Sequence, residues 1–566
     1  MNLPSKEGRV MFDRKRSKLS GKVSKGLEIV IILLMVAIFA VALFSLFGHQ
    51  LQHTSASIIN KLGGQEMIHS PVMYCIVSEP ELIPPPMNTE EYDHVEENPF
   101  LPVAQNPLST FSIDVDTASY ANVRRMIKEG QFPPAGAVRI EECVNYFNYD
   151  YAPPEDEHPF AVHADLARCP WAREHRLARI ALKGVEVQKD ELPDSNLVFL
   201  LDVSGSMDEV NKLGLLKRAF SALTQNLGPR DRVAIVVYAG SSGVVLSSTT
   251  CTENNKPEIL AALDRLQAGG STHGSAGIQL AYQVAEQNFI EGGNNRVILA
   301  TDGDFNVGVS NQSDLVSLIQ QKAKKNVFLS VMGFGMGNYK DSTMEKLADK
   351  GNGNYAYIDS MMEARKVLID EMAGTLLTIA KDVKIQVEFN PVKVAAYRLI
   401  GYENRMLRTE DFADDKKDAG EIGAGHTVTA FYELVPAGSA IPGVAAPSEL
   451  KYQKTAEPSE AAMGDELLTV KLRYKAPDSD QSTLLELPVM DQDRTWESAD
   501  EDFQFAAAVA GWGMLLRDSQ YKGELSWALV EELALGGKGD DKNGYRGEFL
   551  QLVKASALLE RPRVEN

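Results

Sequence analysis

The sequence predicts an α/β fold: a doubly wound, mainly parallel sheet flanked by a β-sandwich-like region and a C-terminal helical segment. Two observations predict it. Between residues 194 and 380, short apolar runs alternate with amphipathic helical patterns, which is typical of strands covered by helices on both faces. After residue 380 the hydrophobic period changes to two, which indicates antiparallel strands, and after residue 500 it becomes helical again.

The first segments of the chain predict a membrane anchor. Residues 29–47 are nineteen residues without a charge, enough for a helix of about 28 Å across a hydrocarbon core of about 30 Å. The tail 1–28 carries eight basic and three acidic residues, and positive flanks stay in the cytoplasm. We therefore expect a single-pass protein of the cytoplasmic (inner) membrane, with the bulk of the chain periplasmic or extracellular. The alternative is secretion after cleavage of a signal peptide, although this apolar run exceeds the usual core of about 7–15 residues.

Residues 48–107 are predicted to form a linker rich in proline and acidic residues. They contain eight prolines and the acidic stretch EEYDHVEEN. Proline keeps such a chain extended, and like charges repel one another. Because the segment has little periodic hydrophobicity, we expect it to stay outside the packed domains.

The remaining chain divides into four expected regions. Residues 108–190 form an N-terminal flanking domain that begins with a strand, FSIDVD, and a helix, TASYANVRRMIKEG. Residues 194–380 form the α/β domain, whose last helix, SMMEARKVLIDEMAGTLLTIAKD, runs directly into the strand KIQVEF. Residues 381–490 form a β-rich C-terminal flanking domain, and residues 500–566 form the helical segment. We hypothesise that the β segments on either side of the α/β domain build one sandwich into which that domain is inserted.

The charge and the cysteine content argue against several function classes. The chain has 57 basic and 78 acidic side chains and a net charge of −21, whereas nucleic acid binding needs clustered positive charge. Its four cysteines show no CxxC spacing and its nine histidines no HExxH pair, the spacings of common zinc sites. The sequence leaves open whether Cys143 and Cys169 pair outside the reducing cytosol.

Five side chains in the α/β domain predict a metal site. Asp202, Ser204 and Ser206 follow its first strand, Thr272 lies in the Gly-rich loop AGGSTHGSAGI before a helix, and Asp302 ends another strand. Loops at the carboxyl ends of parallel strands meet at the switch point of the sheet. Carboxylate and hydroxyl oxygens are hard ligands that suit Mg²⁺, or else Mn²⁺ or Ca²⁺. The Asp-x-Ser-x-Ser pattern alone is weak, since Asp and Ser also cap helices.

With the strand–helix alternation around them, these five residues resemble the metal-ion-dependent adhesion site of von Willebrand factor type A (VWA) domains. The stretches STFSIDVDTASYANVRRMI and FNPVKVAAYRLIGYENRMLRTEDFADD resemble the flanks of this domain in a family of bacterial membrane-anchored or secreted proteins. Those proteins are often labelled as relatives of calcium-activated chloride channels. One apolar span offers no pore, so we do not adopt the channel label.

The resemblance implies a divalent-metal-dependent protein-binding or adhesion module and not an enzyme. It implies that Ser204, Ser206 and Thr272 bind the cation directly, and that the two aspartates act directly or through water. A Glu or Asp of a protein partner would then complete the coordination shell. The alternatives are a magnesium-dependent hydrolase or phosphoryl-transfer enzyme, and a structural scaffold with an empty site. An enzyme would need a general base or a basic phosphate clamp near Asp202 and Asp302, and the sequence identifies neither.

Overall fold

The structure, a computed structural model, describes residues 90, 92–113, 115–188, 191–209, 211–270, 274–303, 312–335, 341–443 and 457–559. The predicted tail 1–28, the predicted anchor 29–47 and the predicted linker as far as residue 89 lie outside these residues. Within the described ranges, no helix is long and apolar enough to cross a membrane. All of the described residues belong to the second of two compact units, Pro84–Asn566.

The described residues include sixteen strands and twelve α-helices. The strands are β1 (Leu101–Pro102), β2 (Leu108–Ser112), β3 (Phe160–Cys169), β4 (Ala172–Gly184), β5 (Ser195–Asp202), β6 (Arg232–Tyr238), β7 (Ser242–Thr250), β8 (Asn294–Thr301), β9 (Val327–Phe334), β10 (Tyr355–Ile358), β11 (Thr378–Phe389), β12 (Val394–Ile400), β13 (Gly420–Gly423), β14 (Thr427–Pro436), β15 (Glu466–Lys475) and β16 (Ser482–Met490). The α-helices are α1 (Ala118–Lys128), α2 (Ile140–Asn145), α3 (Leu213–Asn226), α4 (Lys256–Asp264), α5 (Gly274–Gln287), α6 (Gln312–Ala323), α7 (Asp341–Lys350), α8 (Met361–Arg365), α9 (Met372–Leu376), α10 (Glu501–Arg517), α11 (Trp527–Gly536) and α12 (Tyr545–Leu558).

Strands β5 to β10 form the predicted doubly wound sheet, in the order β10-β9-β8-β5-β6-β7. All of its pairs are parallel except β6 with β7, which is antiparallel. Every residue of β5 and β8 is buried, as expected for central strands covered on both faces. The prediction of a mainly parallel α/β sheet is confirmed.

The order of the strands reverses at β5. From β5 the chain continues to β6 on one side, and it later returns to β8 on the other side. Loops leaving the carboxyl ends of neighbouring strands in opposite directions leave a crevice between them, which is where ligands bind in open α/β sheets. The four described residues of the predicted metal site, Asp202, Ser204, Ser206 and Asp302, lie at this crevice.

Two further sheets are built jointly from the segments before and after the α/β unit. One has the order β1-β12-β14-β4-β3, and the other has the order β13-β11-β15-β16 with β2 paired to β11. Apolar side chains of both sheets share one buried cluster that includes Ile180, Leu182, Val387 and Val470. Chain segments on either side of the α/β unit therefore form one sandwich-like core, which agrees with the hypothesis of an inserted domain.

The end of the predicted linker 48–107 is part of the fold. Phe100 is 3% exposed and packs with Ala396 and Val435, and β1 pairs with β12. The prediction of an unpacked segment is wrong for these residues. A single aromatic anchor is too short a signal to appear as hydrophobic periodicity.

The helix that closes the α/β unit is shorter and more irregular than predicted. After α8 the chain forms a π-helical turn, Lys366–Asp370, then the short helix α9, and β11 begins at Thr378. The stretch TIAKD, expected to be helical, is thus the start of a strand, because it pairs with β13 through Thr378 and Ala380. Local helical propensity is overridden by this pairing.

The C-terminal helices cover the N-terminal flank. Helix α10 is buried at Phe503 and continuously from Phe505 to Arg517, and Trp512, Phe505 and Phe549 pack with Tyr120 and other aromatic residues of the flank. The helical prediction for this segment is confirmed. Its helices are an integral part of the fold and not an appendage.

Candidate metal centre

The two predicted aspartates stand side by side at the edge of the sheet. Asp202 is the last residue of β5, and Asp302 directly follows β8, which pairs with β5 up to Leu201 and Ala300. Both side chains are fully buried. The register of two parallel strands is therefore what brings together two carboxylates a hundred positions apart.

The loop after β5 brings two serines to the same point. The backbone N–H of Ser204 donates a hydrogen bond to Oδ1 of Asp202 at 2.9 Å, and the Oγ atoms of Ser204 and Ser206 lie 3.0 Å apart. These contacts fold the loop so that the carboxylate and both hydroxyls converge. Four of the five predicted residues are thus brought together, and the fifth, Thr272, lies outside the described residues.

The Gly-rich loop that leads to Thr272 is described up to Gly270. Its backbone is tied to the serine loop by two hydrogen bonds, from Gly205 N to Gly270 O at 3.0 Å and from Gly269 N to Val203 O at 2.8 Å. Gly270 has a φ of +86°, a conformation that favours glycine. The Gly-rich character noted in the sequence therefore serves this close approach of two loops.

Burial raises the free energy of the ionised carboxylates of Asp202 and Asp302 unless a positive charge compensates them. Burial raises the pKa of the Asp202 carboxyl to about 6, and the charge of Asp302 adds to this, whereas hydrogen bonds from Ser204 oppose it. Thr301 also donates a hydrogen bond to Oδ2 of Asp202 at 3.2 Å. Buried carboxylates are stabilised when positive charge compensates them. Hard oxygen donors and this need for positive charge fit Mg²⁺, Mn²⁺ or Ca²⁺.

One charged residue of the site was missed by the sequence analysis. Lys212, 3% exposed, donates from Nζ to Oδ2 of Asp302 at 3.2 Å and to the carbonyl oxygen of Ser206 at 3.0 Å. The sequence analysis identified no basic group near the two aspartates, and the structure corrects this. A weak signal was present: Lys212 directly precedes the apolar helix α3, in the same loop after Asp202 that carries Ser204 and Ser206.

The structure also answers the question of the two cysteines and of other metal-binding clusters. Cys143 and Cys169 are free and buried, so they do not pair with each other. In the described part of the chain, no group of three or more His, Cys, Asp or Glu side chains is arranged to hold a metal ion.

Comparison with known protein families agrees with this geometry. Residues 196–371 match the von Willebrand factor type A domain, and residues 86–179 match a family described as von Willebrand factor. The chain is thus a VWA-domain protein, a class whose members often mediate metal-dependent protein interactions. Residues 374–559 match the C-terminal region of uncharacterized protein YfbK.

Most of the chain is similar to a curated protein. It is 44% identical over 473 residues to uncharacterized protein YfbK of Escherichia coli (strain K12), covering 82% of this chain and 81% of that protein. The chain therefore belongs to the YfbK family of VWA-domain proteins, which confirms the resemblance drawn from the sequence.

The chain is also similar to more distant proteins. The human inter-alpha-trypsin inhibitor heavy chain H4 is 29% identical over 194 residues, which are 32% of this chain and 20% of that protein. The solved structure of a von Willebrand factor type A protein from Catenulispora acidiphila is 15% identical, with a TM-score of 0.39, and the match covers 73% of this chain and 100% of that one.

Proposed function

We propose that this protein is a divalent-cation-dependent protein-binding module and not an enzyme. Asp202, Ser204, Ser206, Thr272 and Asp302 would hold Mg²⁺, or else Mn²⁺ or Ca²⁺, and a Glu or Asp of a protein partner would complete the shell. The observation that carries the proposal is the convergence of the Asp202 carboxylate and both serine hydroxyls beside Asp302.

The chemistry of the donors supports binding of an acidic partner. A bound cation would supply a positive charge and vacant coordination positions, since Mg²⁺ prefers six oxygen ligands. The chain offers it neutral hydroxyls and at most two carboxylates, which leaves the ion able to accept a further carboxylate. The residues of the chain would therefore hold the cation in place, and the charge of the cation would favour an acidic partner.

The contacts of the other polar groups support binding over catalysis. Ser204 is 1% exposed, and its Oγ lies 3.0 Å from Oγ of Ser206, an arrangement suited to a ligand more than to a nucleophile. The ammonium group of Lys212 is held by two acceptors of its own chain and is not presented to an incoming phosphate. These contacts favour the binding module over the alternative of a magnesium-dependent hydrolase or phosphoryl-transfer enzyme.

We also propose that the chain is anchored in the inner membrane by residues 29–47 and carries the VWA domain on the periplasmic or extracellular side. The charge asymmetry around the apolar run supports this orientation. Secretion after cleavage is the alternative. A membrane-held binding module would be placed to meet exported protein partners.

The cation part of the proposal is tested by titrating Mn²⁺ into the full chain in detergent and counting free Mn²⁺ by electron paramagnetic resonance. The wild type should bind one ion at the site, and Asp202→Asn should weaken binding on the order of a hundredfold. Asp194→Asn is the matched control, because Asp194 lies just before the amino end of the same strand and pairs with Arg230 at 2.7 Å. Equal affinities for wild type and Asp202→Asn would overturn the proposed site.

The partner part is tested by chemical cross-linking of the full chain in its own membranes with Mg²⁺ or with EDTA. A specific protein partner should be captured with Mg²⁺ and lost with EDTA or with Asp202→Asn, whereas Asp194→Asn should retain it. Capture that persists with the chelator would contradict an adhesion mechanism that depends on a cation.

A further inference from the structure

Lys212 places a fixed positive charge inside the candidate metal centre. Its side chain is 4% exposed, and its ammonium group lies 3.2 Å from a carboxylate oxygen of Asp302 and 3.0 Å from the carbonyl oxygen of Ser206. The next carboxylate, that of Glu209, lies 3.6 Å away and is 55% exposed. The ammonium group is therefore directed at the site and held within it.

The packing around the lysine stem keeps this charge in place. Gly335, directly after β9, has a φ of +75°, and a Cβ at this position would lie 2.4 Å from Cγ and Cε of Lys212. The carbonyl oxygen of Gly335 in turn accepts a hydrogen bond from the Tyr357 hydroxyl. The stem therefore lies in close contact with the backbone at Gly335, which restricts movement of the ammonium group away from the site.

The charge of the site depends on this residue. The three buried charges, two carboxylates and one ammonium group, sum to −1, and a dication brings this sum to +1, while the exposed Glu209 is screened by water. Without the ammonium group, the occupied site would be neutral. A carboxylate would then meet a neutral site instead of a positive one, and a unit charge at this range is worth on the order of tenfold to a hundredfold in affinity.

We infer that Lys212 is a specificity-determining residue of this centre, which weakens binding of the dication and strengthens binding of a carboxylate to the occupied site. The inference rests on the proposed function and names the charge that selects an acidic ligand. Removal of the Lys212 charge should then raise the affinity for the dication and lower the affinity for the carboxylate. A residue that only supported the fold would change both affinities in the same direction.

The test uses the full chain in detergent, with Mn²⁺ as the cation and sodium acetate as the carboxylate. Lys212→Gln and Lys212→Met both remove the charge, and Lys217→Gln is the control, because Lys217 lies on α3, which Lys212 directly precedes, and its ammonium group donates to the carbonyl oxygen of Asp264. Mn²⁺ affinity is measured by electron paramagnetic resonance. Acetate binding is measured by the loss of water-proton relaxation enhancement of the Mn²⁺-loaded protein.

The expected result for both Lys212 variants is Mn²⁺ binding about tenfold tighter and acetate binding about tenfold weaker than in the wild type, with Lys217→Gln unchanged. A variant that binds both more weakly, or that changes neither affinity, overturns the inference and leaves the proposed function standing. A wild-type chain that binds no Mn²⁺ overturns the proposed function, and the inference with it.

A measurement on the wild type alone guards against variants that fail to fold. If the occupied site is positive, the affinity for acetate should fall as sodium chloride is raised, because salt screens the attraction. Acetate affinity that is independent of salt would mean that the occupied site is neutral, and it would overturn the inference without any substitution.

Discussion

Arg124 and Glu363 form a fully buried ion pair, with 2.7 Å between Nη2 and Oε2. Arg124 lies on α1, before the α/β unit, and Glu363 lies on α8, in the segment that closes this unit. Nε of Arg124 also donates to Asp359 at 2.9 Å, and the Tyr146 hydroxyl donates to Glu363 at 2.8 Å. The closing segment of the α/β unit is therefore tied to the N-terminal flank by charge.

The first prediction concerns this pair. Arg124→Met should lower the free energy of unfolding by about 3–5 kcal/mol, because it leaves buried carboxylates without a counter-charge. Urea denaturation followed by circular dichroism measures the change. Arg173→Ala, in a pair that is 86% and 69% exposed, is the control and should leave the midpoint unchanged. Similar midpoints for the wild type and Arg124→Met would show that the pair does not stabilise the fold.

The second prediction concerns two glycines near Lys212. Gly335→Ala should destabilise the protein by about 1–3 kcal/mol, because its φ is +75° and its Cβ would collide with the lysine stem. Gly214→Ala should instead stabilise it by about 0.5–1 kcal/mol, because Gly214 lies in α3 and nothing lies within 4 Å of its Cβ position. Thermal unfolding of both variants measures whether each substitution lowers or raises the stability of the protein. A stabilised Gly335→Ala would contradict the tight packing of the lysine.

The third prediction concerns pH. Burial lowers the pKa of the His426 ring; Glu371 opposes this, while Lys366 and Lys183 add to it. The unfolded chain therefore takes up a proton below about pH 6.5 that the folded chain does not, and the free energy of unfolding falls as the pH decreases, by at most about 1.4 kcal/mol per pH unit. His426→Gln should show a smaller loss of stability between pH 8 and pH 5.5 in urea titrations. Equal losses in both proteins would exclude His426 as the cause.

The fourth prediction concerns membrane topology. A reporter enzyme that is active only in the periplasm should be active when fused to the C-terminus of the full chain and inactive when fused before residue 29, because the basic tail stays in the cytoplasm. Immunoblots of membrane and soluble fractions should show the full-length chain in the membrane. A shortened chain in the soluble fraction would favour the cleaved signal peptide.

What could be predicted from the sequence was local. The apolar run that becomes β5, and the position of Asp202 at its carboxyl end, follow from a pattern of a few neighbouring residues. The same holds for Asp302 after β8. Because parallel strands share an edge, two such local patterns were sufficient to predict that the aspartates meet.

The tertiary structure alone decided which distant groups compensate one another. Lys212 meets Asp302, Arg124 meets Glu363, and β2 joins β11, each across a long stretch of chain. Hydrophobic period and spacing describe one element at a time, whereas a buried charge finds its partner through the packing of several elements. The sequence by itself determined at which strand ends the candidate ligands Asp202 and Asp302 lie, and the packing of helices and strands determined the charge that surrounds them.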